Sequence, residues 1–279
     1  MGAVSLLVTS ASGRNGDGYG ALLSFDRDGR LLGEFSVDDR IRDPRGLGLD
    51  RESGLLFLNS GADRILAIDA SGQIVRDTGP LYGLNPGGGN FGPDGRYYVG
   101  LRTTRSIMSF SKKLDGIGKL VVPPRVVSFP RGFDFDDRGR LFLASGIGPN
   151  GEGNNTILAF EPNIVAETSW SVCDPELSPL DITIAPNGNV VAASEWPFGA
   201  STATTSIREY DAQDAHLVRV LVPERVRFRR PRGLRFGPDG CLYCAAQDEV
   251  VAFDFATGKC LGAAFELPGL NGQALMFFP

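Results

Sequence analysis

One phrase returns along this chain with its punctuation in register: FRRPRGLRFGPDGCLYCAA over Phe228–Ala246. Earlier copies read DPRGLGLDRESGLLFLNS from Asp43, NPGGGNFGPDGRYYVGL from Asn85, FPRGFDFDDRGRLFLAS from Phe129 and SPLDITIAPNGNVVAAS from Ser178. Each runs Pro, two residues, a short apolar run, a turn with Gly, then a second apolar run. A self-match of this kind marks one supersecondary unit that cannot bury its apolar faces alone and must stack on its neighbours. Short apolar runs bounded by Gly and Pro read as strands, and no stretch carries 3.6-residue periodicity long enough for a helix. The class is all-β, and 37 Gly with 18 Pro fit many strands joined by tight turns.

Each unit divides into strand A after the Pro, strand B after the Gly turn, then C and D. The first residues begin at B of an incomplete unit: Leu6–Thr9 is B, Ala21–Phe25 is C and Leu31–Phe35 is D. The missing A is supplied by Leu270–Phe278, with Gly272 aligned to Gly46, Gly132 and Gly233. A ring closed from both ends of the chain leaves no sheet edge exposed. The prediction is a six-bladed β-propeller of four-stranded antiparallel blades, one domain over residues 1–279, with later blades opening at Pro44, Pro86, Pro130, Pro179 and Pro231.

The turns then separate the two ends of the ring. A-to-B turns such as Asp137–Gly139 and Pro238–Gly240, and C-to-D turns such as Asp69–Gly72, are short and lie on one end. B-to-C connections lie on the other and carry the length: Ser10–Gly20, Gly146–Asn155 and Glu195–Thr205. Variable loops on a rigid scaffold present binding groups, so the long-loop mouth of the central channel is the predicted site.

At that mouth the residue after the opening Pro is Arg45, Gly87, Arg131, Leu180 and Arg232, with Asn271 in the closing unit. Two readings follow: the guanidiniums converge on an anion through their forked donors, or each bridges to a neighbouring blade. Asp181 stands where the repeat has Gly, and Glu195, Trp196 and Phe198 follow strand B of the same blade. Carboxylates there suit acid–base work or a cation, and the aromatic pair suits an apolar ligand surface; capping and packing are the plain alternative. The one histidine, His216, falls on an outer strand, which leaves no Ser-His-Asp arrangement.

Charge narrows the function classes. The balance of 28 basic and 33 acidic side chains gives −5, so the molecule as a whole is not a nucleic-acid binder, although Arg225, Arg227, Arg229, Arg230, Arg232 and Arg235 form a local basic run. Cys241 and Cys244 sit at i and i+3 on a strand and face opposite ways, so the four cysteines read as buried thiols in a reducing compartment. No apolar run reaches membrane-spanning length and the start lacks a basic n-region, so a soluble, cytoplasmic protein without a membrane partner is expected.

The P-R-G-L/F, D/P-x-G-R-L-F/Y and S-G-A-D-R-I-L-A-I-D pieces resemble the NHL-repeat propellers and the SMP-30/gluconolactonase-like proteins over essentially the whole chain. In the lactonase branch, the resemblance implies a divalent cation in the channel, held by an acidic residue, an Asn and an Asp from inner strands. This sequence departs there: its matching strand carries Asn271 and no Glu, and the Asp segment reads Pro179-Leu180-Asp181, displaced by one. The NHL branch implies RNA binding on the face that carries the basic run.

The expected function is therefore binding of a small polar or anionic ligand, or a peptide, through Asp181, Glu195, Trp196, Phe198, Arg45, Arg131, Arg232 and Asn271. No cofactor is required by that reading. The alternatives are a Ca²⁺-type metal-dependent hydrolase or lyase of the SMP-30/gluconolactonase kind, and a protein- or RNA-interaction platform.

Overall fold

The computed structural model describes residues 6–11, 20–61, 63–124, 126–146, 156–162, 167–195, 205–222 and 228–278. Its 24 strands form six four-stranded antiparallel sheets, and no helix occurs among the described residues. Blade 1 is β24 (Gly272–Phe277), β1 (Leu6–Ser10), β2 (Ala21–Phe25) and β3 (Leu31–Ser36). Blade 2 is β4 (Gly46–Leu49), β5 (Leu56–Ser60), β6 (Arg64–Ile68) and β7 (Ile74–Asp77). Blade 3 is β8 (Pro86–Phe91), β9 (Tyr97–Leu101), β10 (Ser106–Phe110) and β11 (Lys119–Val122). Blade 4 is β12 (Pro130–Phe135), β13 (Leu141–Ser145), β14 (Thr156–Phe160) and β15 (Trp170–Cys173). Blade 5 is β16 (Pro179–Ile184), β17 (Val190–Ser194), β18 (Ser206–Tyr210) and β19 (Leu217–Leu221). Blade 6 is β20 (Gly233–Phe236), β21 (Leu242–Ala245), β22 (Glu249–Asp254) and β23 (Lys259–Glu266). The predicted six-bladed propeller is the fold.

Each inner strand touches the next in the order β4, β8, β12, β16, β20, β24 and back to β4, which closes the ring. The core is divided accordingly into six apolar clusters, each shared by two adjacent blades. Alternation along a strand produces this directly. In β1, Leu7 packs with Leu47 and Leu58 of blade 2, while its neighbours Leu6 and Val8 pack with Ala245 and Val250 of blade 6. Both faces of a middle strand are therefore buried, and its sequence reads as an unbroken apolar run.

Closure occurs as predicted between the last strand and β1, with Leu6 opposite Phe277 and Val8 opposite Leu275. Its register differs from the sequence reading. Ser10 pairs with Gly272, as Ser145 pairs with Pro130, Ser194 with Pro179 and Leu101 with Pro86. Gly272 thus takes the place of the opening Pro, and Gln273, not Asn271, is the counterpart of Arg45, Arg131 and Arg232. The reason is local: no Pro punctuates the closing unit, and its glycine was matched to the wrong small residue of the repeat. Asn271 sits one step earlier at positive φ, as do Asp43, Asn85 and Arg230 before their prolines.

The cysteine reading needs a similar correction. All four are free thiols, but only Cys244 is buried, and Cys173 is exposed on the outer strand of blade 4.

Candidate anion-binding site

Inner strands approach one another so closely near the mouth that the second residue after the opening Pro is small in most blades. A Cβ on Gly46 would lie 2.7 Å from Gly89 N and 2.8 Å from Gly87 O of the next blade. Asp181 is the exception, and it fits because Gly132 of the preceding blade has no side chain: a Cβ there would overlap Asp181 Oδ1.

The Asp181 carboxylate reaches into the following blade. Its Oδ2 accepts from Leu234 N at 2.9 Å and from the Arg235 guanidinium at 3.2 Å. Burial pushes its pKa up to about 6, with Arg235 opposing. Asp134, one blade earlier, accepts from Asn90 Nδ2 at 2.9 Å, Ile184 N at 3.0 Å and Thr183 Oγ1 at 3.3 Å. These bonds tie neighbouring inner strands together, Asp181 and Arg235 form the floor of the mouth, and Arg235 lines the cavities on both sides.

Above this floor, on the end where B strands finish and A strands begin, lies a small pocket of ≈ 30 Å³, lined by Arg45, Arg102, Arg131, Arg232 and Gln273 among others. All three predicted arginines meet there. Arg45 donates to Asp43, two residues earlier in the same entry segment, and to Asn85 at the entry of the next blade. Arg232 donates to Gln273 Oε1 at 2.7 Å, again across a blade boundary, and lies 3.7 Å from Glu195. Bridging and convergence are thus not rival arrangements: the bridges hold the guanidiniums toward a common space.

Arg102 was not foreseen. It follows β9 of blade 3, where the ring position is Gly87, and its Nε lies where a Cβ on Gly87 would approach to 3.0 Å. The glycine leaves a gap in the ring and the arginine from the adjacent strand fills it. An Arg at a strand-B exit opposite a Gly-for-Arg exchange was the available signal. Its Nε is buried without a hydrogen-bond partner among the described residues, as is that of Arg232. The Phe129 ring lies beneath both Arg102 and Arg131, 5.6 and 4.8 Å from their guanidinium carbons.

The electrostatics follow from crowding like charges out of water. Burial and the neighbouring Arg45 and Arg131 disfavour the charged form of Arg102 strongly, and burial with Arg232 lowers Arg131 to about 10. Burial lowers Arg232 as well, against the pull of Glu195. Glu195 follows β17 and lies 3.8 Å from Arg230 on the outer rim. Trp196, Phe198, Arg225 and Arg227 lie outside the described residues, as do most of the three long loops. The basic run itself divides: Arg229 and Arg230 are exposed, Arg232 faces the pocket and Arg235 belongs to the floor.

A divalent cation does not suit these donors. The pocket offers it a wall of guanidiniums, and Asp181 is already engaged by a backbone N–H and Arg235. Among the described residues one other group has ligand-like spacing, Asp211, Asp214 and His216, on the exposed turn before β19 and far along the chain from the inner strand. No described helix is long and apolar enough to cross a membrane.

No family model and no curated protein matches the chain. Solved structures do. A gluconolactonase from Xanthomonas campestris is 16% identical with TM-score 0.68 over 95% of this chain and 86% of that one. Virginiamycin B lyase from Staphylococcus aureus, solved with quinupristin, is 17% identical with TM-score 0.63 over 84% and 76%. A chain of a nidogen/laminin complex is 13% identical with TM-score 0.75 over 99% of each. The likeness to SMP-30/gluconolactonase- and NHL-like propellers is thus one of fold: this chain is a six-bladed β-propeller similar in fold to a lactonase, a lyase and a chain of a protein complex.

Proposed function

We propose that this propeller binds a small anionic ligand at the arginine-lined mouth of its channel. The observation that carries the reading is the convergence of Arg45, Arg102, Arg131 and Arg232 on one pocket. Guanidiniums held together and partly desolvated are destabilised by one another, and an anion relieves that repulsion while accepting their forked N–H groups. Gln273 positions Arg232 and the Asp43 carboxylate positions Arg45, while Glu195 offsets part of their charge from 3.7 Å.

The test is isothermal titration of the purified protein with sulfate and citrate, with glucose as the uncharged comparison, at low and high salt. Both anions bind and glucose does not, and affinity falls with ionic strength. A folded Arg45→Ala/Arg131→Ala/Arg232→Ala variant loses the anion. Equal anion binding by that variant, or none by the parent protein, removes the reading.

A metal-dependent hydrolase or lyase activity gains nothing from the donor set just described. A protein- or RNA-interaction role would show instead as binding of such a partner that survives the triple arginine variant.

A further inference from the structure

Room for a ligand with an apolar body lies at the opposite end of the channel, where the short A-to-B turns meet. A pocket of ≈ 570 Å³ opens there, against ≈ 30 Å³ on the arginine side. Small-molecule sites occupy roughly 300–1,000 Å³. Its walls are Leu49, Phe91, Phe135, Phe236, Met276 and Phe277, each only half-buried. Period-two alternation turns the residues just before Phe91, Phe135 and Phe236 to the channel, and these, Asn90, Asp134 and Arg235, line the inner end of the pocket.

What that inner end can bind depends on which hydrogen-bonding groups are already used. The Asp134 carboxylate accepts from Asn90 Nδ2, Phe135 N, Thr183 Oγ1 and Ile184 N, which fills its lone pairs. Asp50 is taken by Lys112 and Ser53, and Asp136 by Arg140. Of the segments at this end, only 1–5, 163–166 and 279 fall outside the described residues, and no acidic side chain is among them. Arg235 is different. Its Nη1 donates to Asp181 and to Leu234 O, while Nε and Nη2, the two nitrogens of its side fork, have no hydrogen-bond partner among the described residues.

We propose that this pocket is a second ligand site and that it takes a small amphipathic acid, with an apolar body against the half-buried walls and one carboxylate on the Arg235 fork. Donors without acceptors call for an acceptor, and a carboxylate matches the parallel N–H pair of a guanidinium. The walls add the gain from removing two apolar surfaces from water. This site does not rest on the anion-binding reading at the arginine mouth.

The experiment is isothermal titration with 3-phenylpropionate at neutral pH and constant ionic strength, with 3-phenylpropanol and propionate as comparisons. 3-Phenylpropionate binds about tenfold or more tightly than the alcohol, which lacks the charge-assisted pair, and than propionate, which lacks the ring. Met276→Glu sets a competing carboxylate in the pocket and weakens 3-phenylpropionate about tenfold or more. Arg235→Lys keeps a charge beside Asp181 but removes the fork, and brings the acid to within about threefold of the alcohol. The Arg45→Ala/Arg131→Ala/Arg232→Ala variant binds 3-phenylpropionate as the parent protein does. No binding of 3-phenylpropionate, or equal affinity for it and either comparison compound, overturns the proposal without any variant. So does full affinity in a folded Met276→Glu or Arg235→Lys protein. Loss of 3-phenylpropionate in the triple arginine variant overturns it too, because the acid then binds at the arginine mouth.

Discussion

Asp181 and Arg235 meet at 3.2 Å across the boundary between blades 5 and 6, 54 residues apart in sequence, beneath the arginine-lined pocket. The pair is largely withdrawn from solvent, with side-chain exposures of 10% and 15%. Asp181→Asn retains an acceptor for Leu234 N but strands the Arg235 charge, and costs about 1–3 kcal/mol. Urea unfolding measures it, and a midpoint within error of the parent protein contradicts the assignment.

The same carboxyl sets a pH dependence of definite sign. Its pKa is about 6 in the folded protein against an ordinary value of 3.8, so the folded form holds the proton over a range where the unfolded chain has lost it. This contribution to stability is complete below the unfolded value and is lost as pH rises through 6, roughly 3 kcal/mol at most. Asp38, held down to about 2 by its hydrogen bond with Arg40, acts oppositely and only in strong acid. Plotting the difference in unfolding free energy between the parent and Asp181→Asn from pH 4 to 7.5 isolates the effect. A flat difference refutes it.

Gly132 faces Asp181 with no room for a methyl group. Gly132→Ala costs about 3 kcal/mol or more, because the obstruction includes backbone. Adding Asp181→Gly relieves only part of the loss, since the Cα of residue 181 stays 2.7 Å from the new methyl group. A double-mutant cycle by denaturant unfolding checks both statements. Strict additivity means that the two positions do not touch.

Ring closure depends on few residues. Leu275 is 1% exposed and joins Val8 to the blade 6 cluster. Leu275→Ala costs about 2–5 kcal/mol. Deleting residues 272–279 bares the edge of β1 and yields oligomers in size-exclusion chromatography, as an unpaired edge strand recruits another. A monodisperse, fully stable truncated chain excludes this picture.

Glu195 lies 3.7 Å from Arg232 and 3.8 Å from Arg230, too far for strong pairing yet close enough to offset their field. Glu195→Gln tightens sulfate binding about threefold to tenfold at low salt, with the gain shrinking at high salt. Weaker binding in that variant assigns Glu195 a role in ligand contact instead.

The repeated phrase determined the blades by itself. Pro and Gly positions delimit strands, period-two alternation sorts side chains between neighbouring blades, and strand direction assigns short turns to one end and long loops to the other. Because these are local rules, Arg45, Arg131 and Arg232 were legible as one set from the residue after each Pro. What meets in the channel was decided by the closed ring. Arg102 joins from a different strand because Gly87 leaves a gap, Asp181 finds Arg235 in the next blade, and Gln273 replaces Asn271 because pairing with Ser10 fixes the last strand. Such contacts link residues tens to hundreds apart through packing of inner strands, a geometry that no repeat period encodes.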